Sequence, residues 1–372
     1  MPADRALPRG WPAAFGVGDA ERRALLALAT LRGTAPRAVR ALAWQTGSAQ
    51  GTLAGVRRGD AGSDGDREHL AEIDLDAVAA ATDACDARLV GPRDEEYVEG
   101  FLDLHDPPAA LFVRGRRLRA EDDRVSIVGA RGASALGVVV SHDLGRVLAG
   151  AGVWVVSGAA RGIDSASHRG ALAGGGRTIA VLGSGIDVLY PRGSSPLLAR
   201  ILEEGTVVSE YAPGVPAEAF RFPARNRLIA ALGRALVVVE GAERSGSMIS
   251  VDHALELGRE VFAVPGPITS DLAQVPLALI RDGATLIRGA EDLLFDLGIS
   301  AKLAERPPTD LAYEDGRVWR ALGTVGYPDA IARSAGLSLP DVMSALLRLE
   351  IRGLVRLMGG RYERCLVPSA AV

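Results

Sequence analysis

The residues of this chain best able to do chemistry are arginines beside small-residue turns, and the chemistry is phosphate binding. In residues 156–164 (VSGAARGID) an apolar run stops at Ser157 and Gly158, a turn carries Arg161, and Gly162 opens a helical pattern. Such a strand–turn–helix junction exposes unpaired backbone N–H groups at a positive helix end, a natural cradle for phosphate. Similar junctions stand at residues 183–187 and 245–250, the second offering Ser245, Gly246 and Ser247. Several cradles in one stretch point to a ligand with more than one phosphate.

Arg131 follows Gly129 just after an apolar run, where an unpaired charge is costly to bury, so it is expected to face a crevice. Arg177 follows the glycines at 174–176 and is expected to act as a second clamp. Arg225, Asn226 and Arg227 offer two cations and an amide on what reads as one loop, with cross-linking of loops as their structural alternative. Asp164 reads as a helix cap, and His168, four residues on, as its hydrogen-bond partner rather than half of a catalytic dyad. Tyr190, Tyr211, Phe220 and Phe222 are the aromatics nearest these loops; packing is their default role and base stacking the functional one. No histidines and cysteines share a ligand spacing, so no metal, cofactor or catalytic residue is expected.

These side chains need a scaffold, and the composition says what kind. The chain has 372 residues with 42 Lys and Arg against 46 Asp and Glu, a formal net charge of −4. Residues 1–90 carry a net −1, residues 91–300 a net −5 and residues 301–372 a net +2. A uniformly basic nucleic-acid binder would look different, so any polyanion site is a local patch on an acidic body. Residues 1–16 are broken by Pro2, Pro8 and Pro12 and do not read as a signal peptide. No apolar run approaches the roughly 20 residues of a membrane span. Cys85 and Cys365 fit plain thiols in a reducing cytoplasm.

Three domains are expected. Residues 1–90 read as a small helical domain in which residues 32–36 (RGTAP) join two helices, the pattern of a helix-hairpin-helix or SAM-like module. Turn amides of such a module can reach a DNA backbone, although packing alone is its commoner use. Residues 59–66 (GDAGSDGD) read as a flexible linker. From 91 to 300, apolar strand candidates at 125–128, 153–156, 178–182, 206–209, 235–239 and 261–264 alternate with helical spacing at 136–148, 163–172, 197–202 and 249–257. That alternation predicts an α/β fold with an extended, Rossmann-like parallel sheet covered on both faces. Ligands of such sheets bind at the carboxyl ends of the strands, where the glycine-rich turns fall. Residues 301–372 read as a linker around Pro307 and Pro308, then three helices and a hairpin, a winged helix. Its third helix sets Arg348 and Arg352 against Asp341 and Glu350, a neutral balance that fits protein contact better than base reading.

With these blocks in view, the chain resembles the DNA-processing protein A (DprA/Smf) family. The resemblance runs through residues 106–115 (DPPAALFVRG), 125–137 (VSIVGARGASALG), 155–172, 177–191 (RTIAVLGSGIDVLYP), 209–211, 222–229 (FPARNRLI) and 240–267, with SGSMIS and VFAVPGP. It implies a binding protein that holds single-stranded DNA without reading sequence, in a positively charged pocket. It also implies RecA as the recombinase to be loaded in transformation, a homodimer, and single-strand-binding protein as a further partner. Carried over, the motif arginine is Arg131 and a family lysine before the third strand corresponds to Arg177, a guanidinium adding bidentate geometry. Two departures bear on single contacts: Gly129–Ala130–Arg131 lacks the usual central serine, and residues 193–195 (GSS) lack a usual asparagine. The rival reading is a nucleotide-processing enzyme resembling phosphoribohydrolases of the same superfamily. Their Pro-Gly-Gly-x-Gly-Thr-x-x-Glu segment is missing, since residues 265–267 end in proline.

Overall fold

Short helices open the chain because its leucines recur at helical spacing between glycine and proline breaks. The structure, a computed structural model, describes residues 8–243, 246–299, 311–323 and 325–364. Helices α1 (Asp19–Leu28), α2 (Pro36–Thr46), α3 (Ala49–Arg58), α4 (Asp64–Glu72) and α5 (Leu75–Ala84) come first. The first four close around Phe15, Leu25, Leu42, Val56 and Leu70. Pro36 starts α2, Gly47 at φ 79° ends it, and the Ser48 hydroxyl caps α3 by accepting from Gly51 N at 3.0 Å.

Residues 59–66 are not the flexible linker their composition implies. Ser63 and Asp66 form a capping box at the start of α4. The buried Asp66 carboxylate also accepts from Arg32 N and Gly33 N, both at 2.9 Å, and from the Thr34 hydroxyl at 2.6 Å. Burial raises its pKa, but these hydrogen bonds and that from Ser63 outweigh burial and hold it below the usual range. The α1–α2 turn therefore gives two of its amides to an internal carboxylate, which favours packing over DNA contact for that turn.

The central sheet has nine strands: β1 (Ala87–Val90), β2 (Leu111–Gly115), β3 (Arg124–Val128), β4 (Trp154–Ser157), β5 (Thr178–Gly185), β6 (Thr206–Tyr211), β7 (Ala235–Val238), β8 (Glu260–Ala263) and β9 (Thr285–Leu286). Their order is β1-β2-β6-β5-β4-β3-β7-β8-β9, with β3 to β9 parallel and β1 and β2 antiparallel at one edge. All six expected strands lie in the parallel part. Helices α6 (Ala135–Gly150), α7 (Ile163–Ala173), α8 (Ser195–Glu204), α9 (Arg221–Leu232), α10 (Ser247–Glu256), α11 (Gln274–Arg281) and α12 (Ala290–Asp296) follow. Strand alternation feeds two cores: Ile179, Val181 and Val208 on one face, Ala180, Leu182 and Val207 on the other. Residues 225–227, expected in a loop, are helical, within α9.

The described residues fall into two compact units divided between Leu293 and Leu294, residues 150–152 belonging to the second. That second unit contains α13 (Tyr313–Leu322), β10 (Val325–Gly326), α14 (Pro328–Ala335), α15 (Leu339–Ile351), β11 (Val355–Met358) and β12 (Arg361–Arg364), with strands ordered β10-β12-β11. Trp319, Ile331, Leu346, Leu349 and Tyr362 fill its core, giving the expected winged helix. The proline-containing linker at 301–310 and Cys365 lie outside the described residues. No described helix is long and apolar enough to cross a membrane.

Candidate nucleic-acid interface

Because β3 to β7 run parallel, the turns that follow them gather at one edge of the sheet. Gly129 and Arg131 follow β3, Ser157 ends β4 with Gly158 to Gly162 after it, and Gly246 and Ser247 follow β7. Helix α9 leads into β7, so its first turn lies over the same edge. Here Arg131 is exposed, with its guanidinium carbon 5.5 Å from the centre of the Phe222 ring. Phe222 in turn lies 5.4 Å from the Tyr190 ring at 34°. It rests on Gly183, where a Cβ would come within 2.8 Å of the ring.

Arg161 is exposed on the neighbouring turn. Gly162, at φ 80°, lets that turn meet the Arg131 turn backbone to backbone, since a Cβ would stand 2.3 Å from the Ala130 carbonyl and 2.7 Å from that of Arg131. Neither guanidinium makes an ion pair or hydrogen bond with another described residue. Two free, planar cations on adjoining turns, one stacked on an aromatic pair, can clasp phosphates and leave a ring face for a base.

The backbone cradle after β4 is filled from within. The buried Asp164 carboxylate accepts from Gly158 N at 3.1 Å and Ala160 N at 3.3 Å, closing the 157–162 turn. Burial pushes this carboxyl above its ordinary range, against the pull of Arg225 and the two amides. Glu240, after β7, accepts from Ser134 N at 2.9 Å and from the Ser134 hydroxyl, at the start of α6. The phosphate role expected for the 157–162 amides is corrected accordingly: an internal carboxylate holds Gly158 N and Ala160 N, and side chains must do the gripping there. Ser157 is fully buried and donates to the Ile127 carbonyl at 2.6 Å. Gly129 is tightly packed too, a Cβ there lying 2.7 Å from Ile163.

Two of the expected cations are structural. Arg225 is buried and donates to the Gly158 carbonyl at 2.9 Å and to the Val181 carbonyl, tying the β4 turn to β5. Gly158 is small for this reason, since a Cβ would lie 2.5 Å from the guanidinium. Burial lowers the Arg225 pKa to about 10, Asp164 opposing the shift and Arg131 adding to it. That repulsion also places Arg131 near Arg225. Arg227 is buried between Asp106 at 3.0 Å and Glu210 at 2.8 Å. Asn226 donates to the Gly246 carbonyl at 3.1 Å and steadies the approach to α10. Gly246 is exposed, Ser247 is buried at the first position of α10, and Ser245 lies outside the described residues.

Asp164 and His168 do not form the expected pair. His168 Nδ1 stands 2.6 Å from the Thr178 hydroxyl, which itself donates to the Val155 carbonyl. Nδ1 must therefore carry the proton, leaving Nε2 bare and without a partner. Burial drops the His168 pKa to about 3, with Arg225 and Arg169 adding to the effect.

Arg177 does not join Arg131. It immediately precedes β5 and stacks on Trp154, the first residue of β4, at 5.3 Å. Trp154 is level with Arg124, the first residue of β3, whereas Arg131 comes after the last. The two arginines thus sit at opposite ends of the parallel strands, separated by at least about 13 Å of β3 alone. Sequence reasoning also missed Asp106, Glu210 and Glu240, the acids that engage Arg227 and the α6 amides; only their placement in space reveals them.

Parallel order, ligand edge and appended three-helix wing define a Rossmann-like α/β protein with a winged helix. Residues 88–298 match the family model described as DNA recombination-mediator protein A, and residues 302–361 match the DprA winged helix domain. The chain belongs to the DNA recombination-mediator protein A family, as the DprA/Smf resemblance of its motifs implied. It is 38% identical to Protein Smf of Escherichia coli K12 over 285 residues, 73% of this chain and 76% of that one. It is 40% identical to the DNA processing protein DprA of Streptococcus pneumoniae R6 over 203 residues, 54% and 71% of the two chains. The X-ray structure of DprA from S. pneumoniae superposes with a TM-score of 0.57 at 36% identity, covering 62% of this chain and 81% of that one. A DNA processing protein A from Helicobacter pylori, described for its single-stranded DNA binding mode, gives 0.51 at 25% identity over 57% and 95%.

Proposed function

We propose that this chain binds single-stranded DNA without reading its sequence, at the carboxyl edge of the parallel sheet. The observation that carries the reading is the pair of exposed guanidiniums of Arg131 and Arg161, without an ion pair among the described residues, beside the Phe222–Tyr190 platform. Phosphates of one strand take the arginines, and an unstacked base takes the aromatic face, which a duplex cannot offer. The single-stranded DNA binding described for the H. pylori relative supports this. On the same reading the protein works in the cytoplasm as a homodimer that hands its strand to RecA, with single-strand-binding protein as a further partner. The outer face of α15 supports protein contact for the winged helix: Leu339, Met343, Leu347 and Ile351 are exposed along it in i, i+4 steps. The role is non-catalytic, since His168 is locked neutral and Asp164 is engaged with backbone amides.

Fluorescence anisotropy with labelled oligo-dT and a duplex of equal length, at two salt concentrations, tests the reading. Tighter binding of the single strand is expected, with a log–log salt slope of about −0.7 per phosphate contact. Equal affinity for the duplex, or affinity indifferent to salt, would overturn it. Release of adenine from AMP in a parallel assay would favour the phosphoribohydrolase-like alternative.

A further inference from the structure

The first turn of α9 has a second face. Phe222 turns toward Arg131, whereas Phe220, Arg221 and Ala224 border a cleft of about 290 Å3 whose opposite wall is the α1–α2 turn. Asp106, Glu210 and Tyr211 also line it. Phe220 is 64% exposed, a large apolar ring left at the rim. Its neighbour Arg221 is fixed, with Glu218 at 3.0 Å and the rings of Tyr211 and Phe220 at 5.0 and 5.2 Å. Across the cleft Arg32 is exposed and has no ion pair with any described residue. The turn that carries it is held by Asp66, so this wall is fixed in shape.

We propose that this cleft is a second subsite for the same strand: a base next to the one on Phe222 stacks on Phe220 and enters the cleft, and Arg32 takes its phosphate. The inference rests on the single-stranded DNA reading and extends it from one contact to a path. Three observations carry it. The cleft is continuous with the Arg131 site through one helical turn, residues 220–224. Its volume falls just below the usual range of ligand pockets, about 300–1,000 Å3, room for one base and not for a duplex. Its two acids share Arg227, at 3.0 and 2.8 Å, and Arg32 and Arg221 also line the cleft, so three cations there outweigh two carboxylates. The helical N-terminal segment then contributes a wall of the DNA site through a side chain rather than through its turn amides.

Strand length separates this subsite from the first. Phe220→Ala and Arg32→Ala are expected to weaken binding of an oligo-dT of about 12 nucleotides by roughly 5- to 10-fold each, and to leave one of about 4 nucleotides unchanged. Arg131→Ala is expected to weaken both lengths. Both new positions are exposed, so thermal melting should match the wild type. A 2-aminopurine placed within the longer strand should lose fluorescence on binding the wild type and keep more of it with Phe220→Ala. Wild-type affinity for the longer strand in the Arg32→Ala, Phe220→Ala double variant would overturn the subsite while leaving the first reading intact. Failure of the wild type to bind either length would overturn both.

Discussion

Arg131 and Arg225 are the same residue type near the same turn, yet one faces solvent and the other is almost wholly enclosed. Their substitutions should therefore fail in different ways. Arg225→Ala removes the buried charged donor to the Gly158 and Val181 carbonyls, and losing a hydrogen bond to a charged group costs about 1.5–3 kcal/mol. Urea denaturation should show that loss, whereas Arg131→Ala should melt like the wild type. His168 adds a pH signature. Its pKa of about 3 when folded lies well below the ordinary value of 6.5, so the unfolded chain takes up a proton that the folded chain refuses. Its contribution to stability is full above pH 6.5 and declines as pH falls toward 3; denaturation midpoints of His168→Gln should fall less steeply over that window. The arginines were visible in the sequence, but their roles were not. The farthest partners of Arg227 and Arg225, Asp106 and Gly158, lie 121 and 67 residues away. No local pattern reports such distances.

Among the elements, the strands were the most legible, because a parallel sheet covered on both faces demands continuous apolar runs. Strands β1, β2 and β9 escaped because each is short and lies toward an edge of the sheet, β1 and β2 at the antiparallel one and the two-residue β9 at the other. Helix α9 escaped for a different reason: it opens Arg-Phe-Pro-Ala-Arg-Asn-Arg, and Pro223 reads as a breaker, although a first helical turn tolerates it. The turns misled most. The 32–36 and 156–164 turns were read as backbone donors to phosphate, but Asp66 and Asp164 already accept from them. The same carboxylates make a test at this scale. Asp66→Ala removes acceptors from three amides and two hydroxyls, with a cost of about 2–4 kcal/mol from lost charged hydrogen bonds and stranded donors. Because the folded Asp66 pKa is lowered, its stabilisation is present above the ordinary carboxylate range and disappears as pH falls through the folded value. The variant should lose that part of the acid sensitivity in a denaturation series.

For the molecule as a whole, a net charge of −4 rules out attraction by bulk charge and leaves the work to local geometry. Arg131 and Arg161 supply that geometry at one edge of the sheet, and Arg177 stands at the other. The fold class followed from apolar periodicity, and the motif blocks pointed to the family. Which arginines share a surface required the strand order and direction. The direct measurement is oligo-dT affinity for wild type, Arg131→Ala and Arg177→Ala under one low-salt condition. Arg131→Ala should bind about 10-fold more weakly, the loss of one charged hydrogen bond of about 1.5–3 kcal/mol, while Arg177→Ala binds as the wild type does. Equal losses in the two variants, or a loss confined to Arg177→Ala, would contradict a single binding edge at the carboxyl ends of the strands.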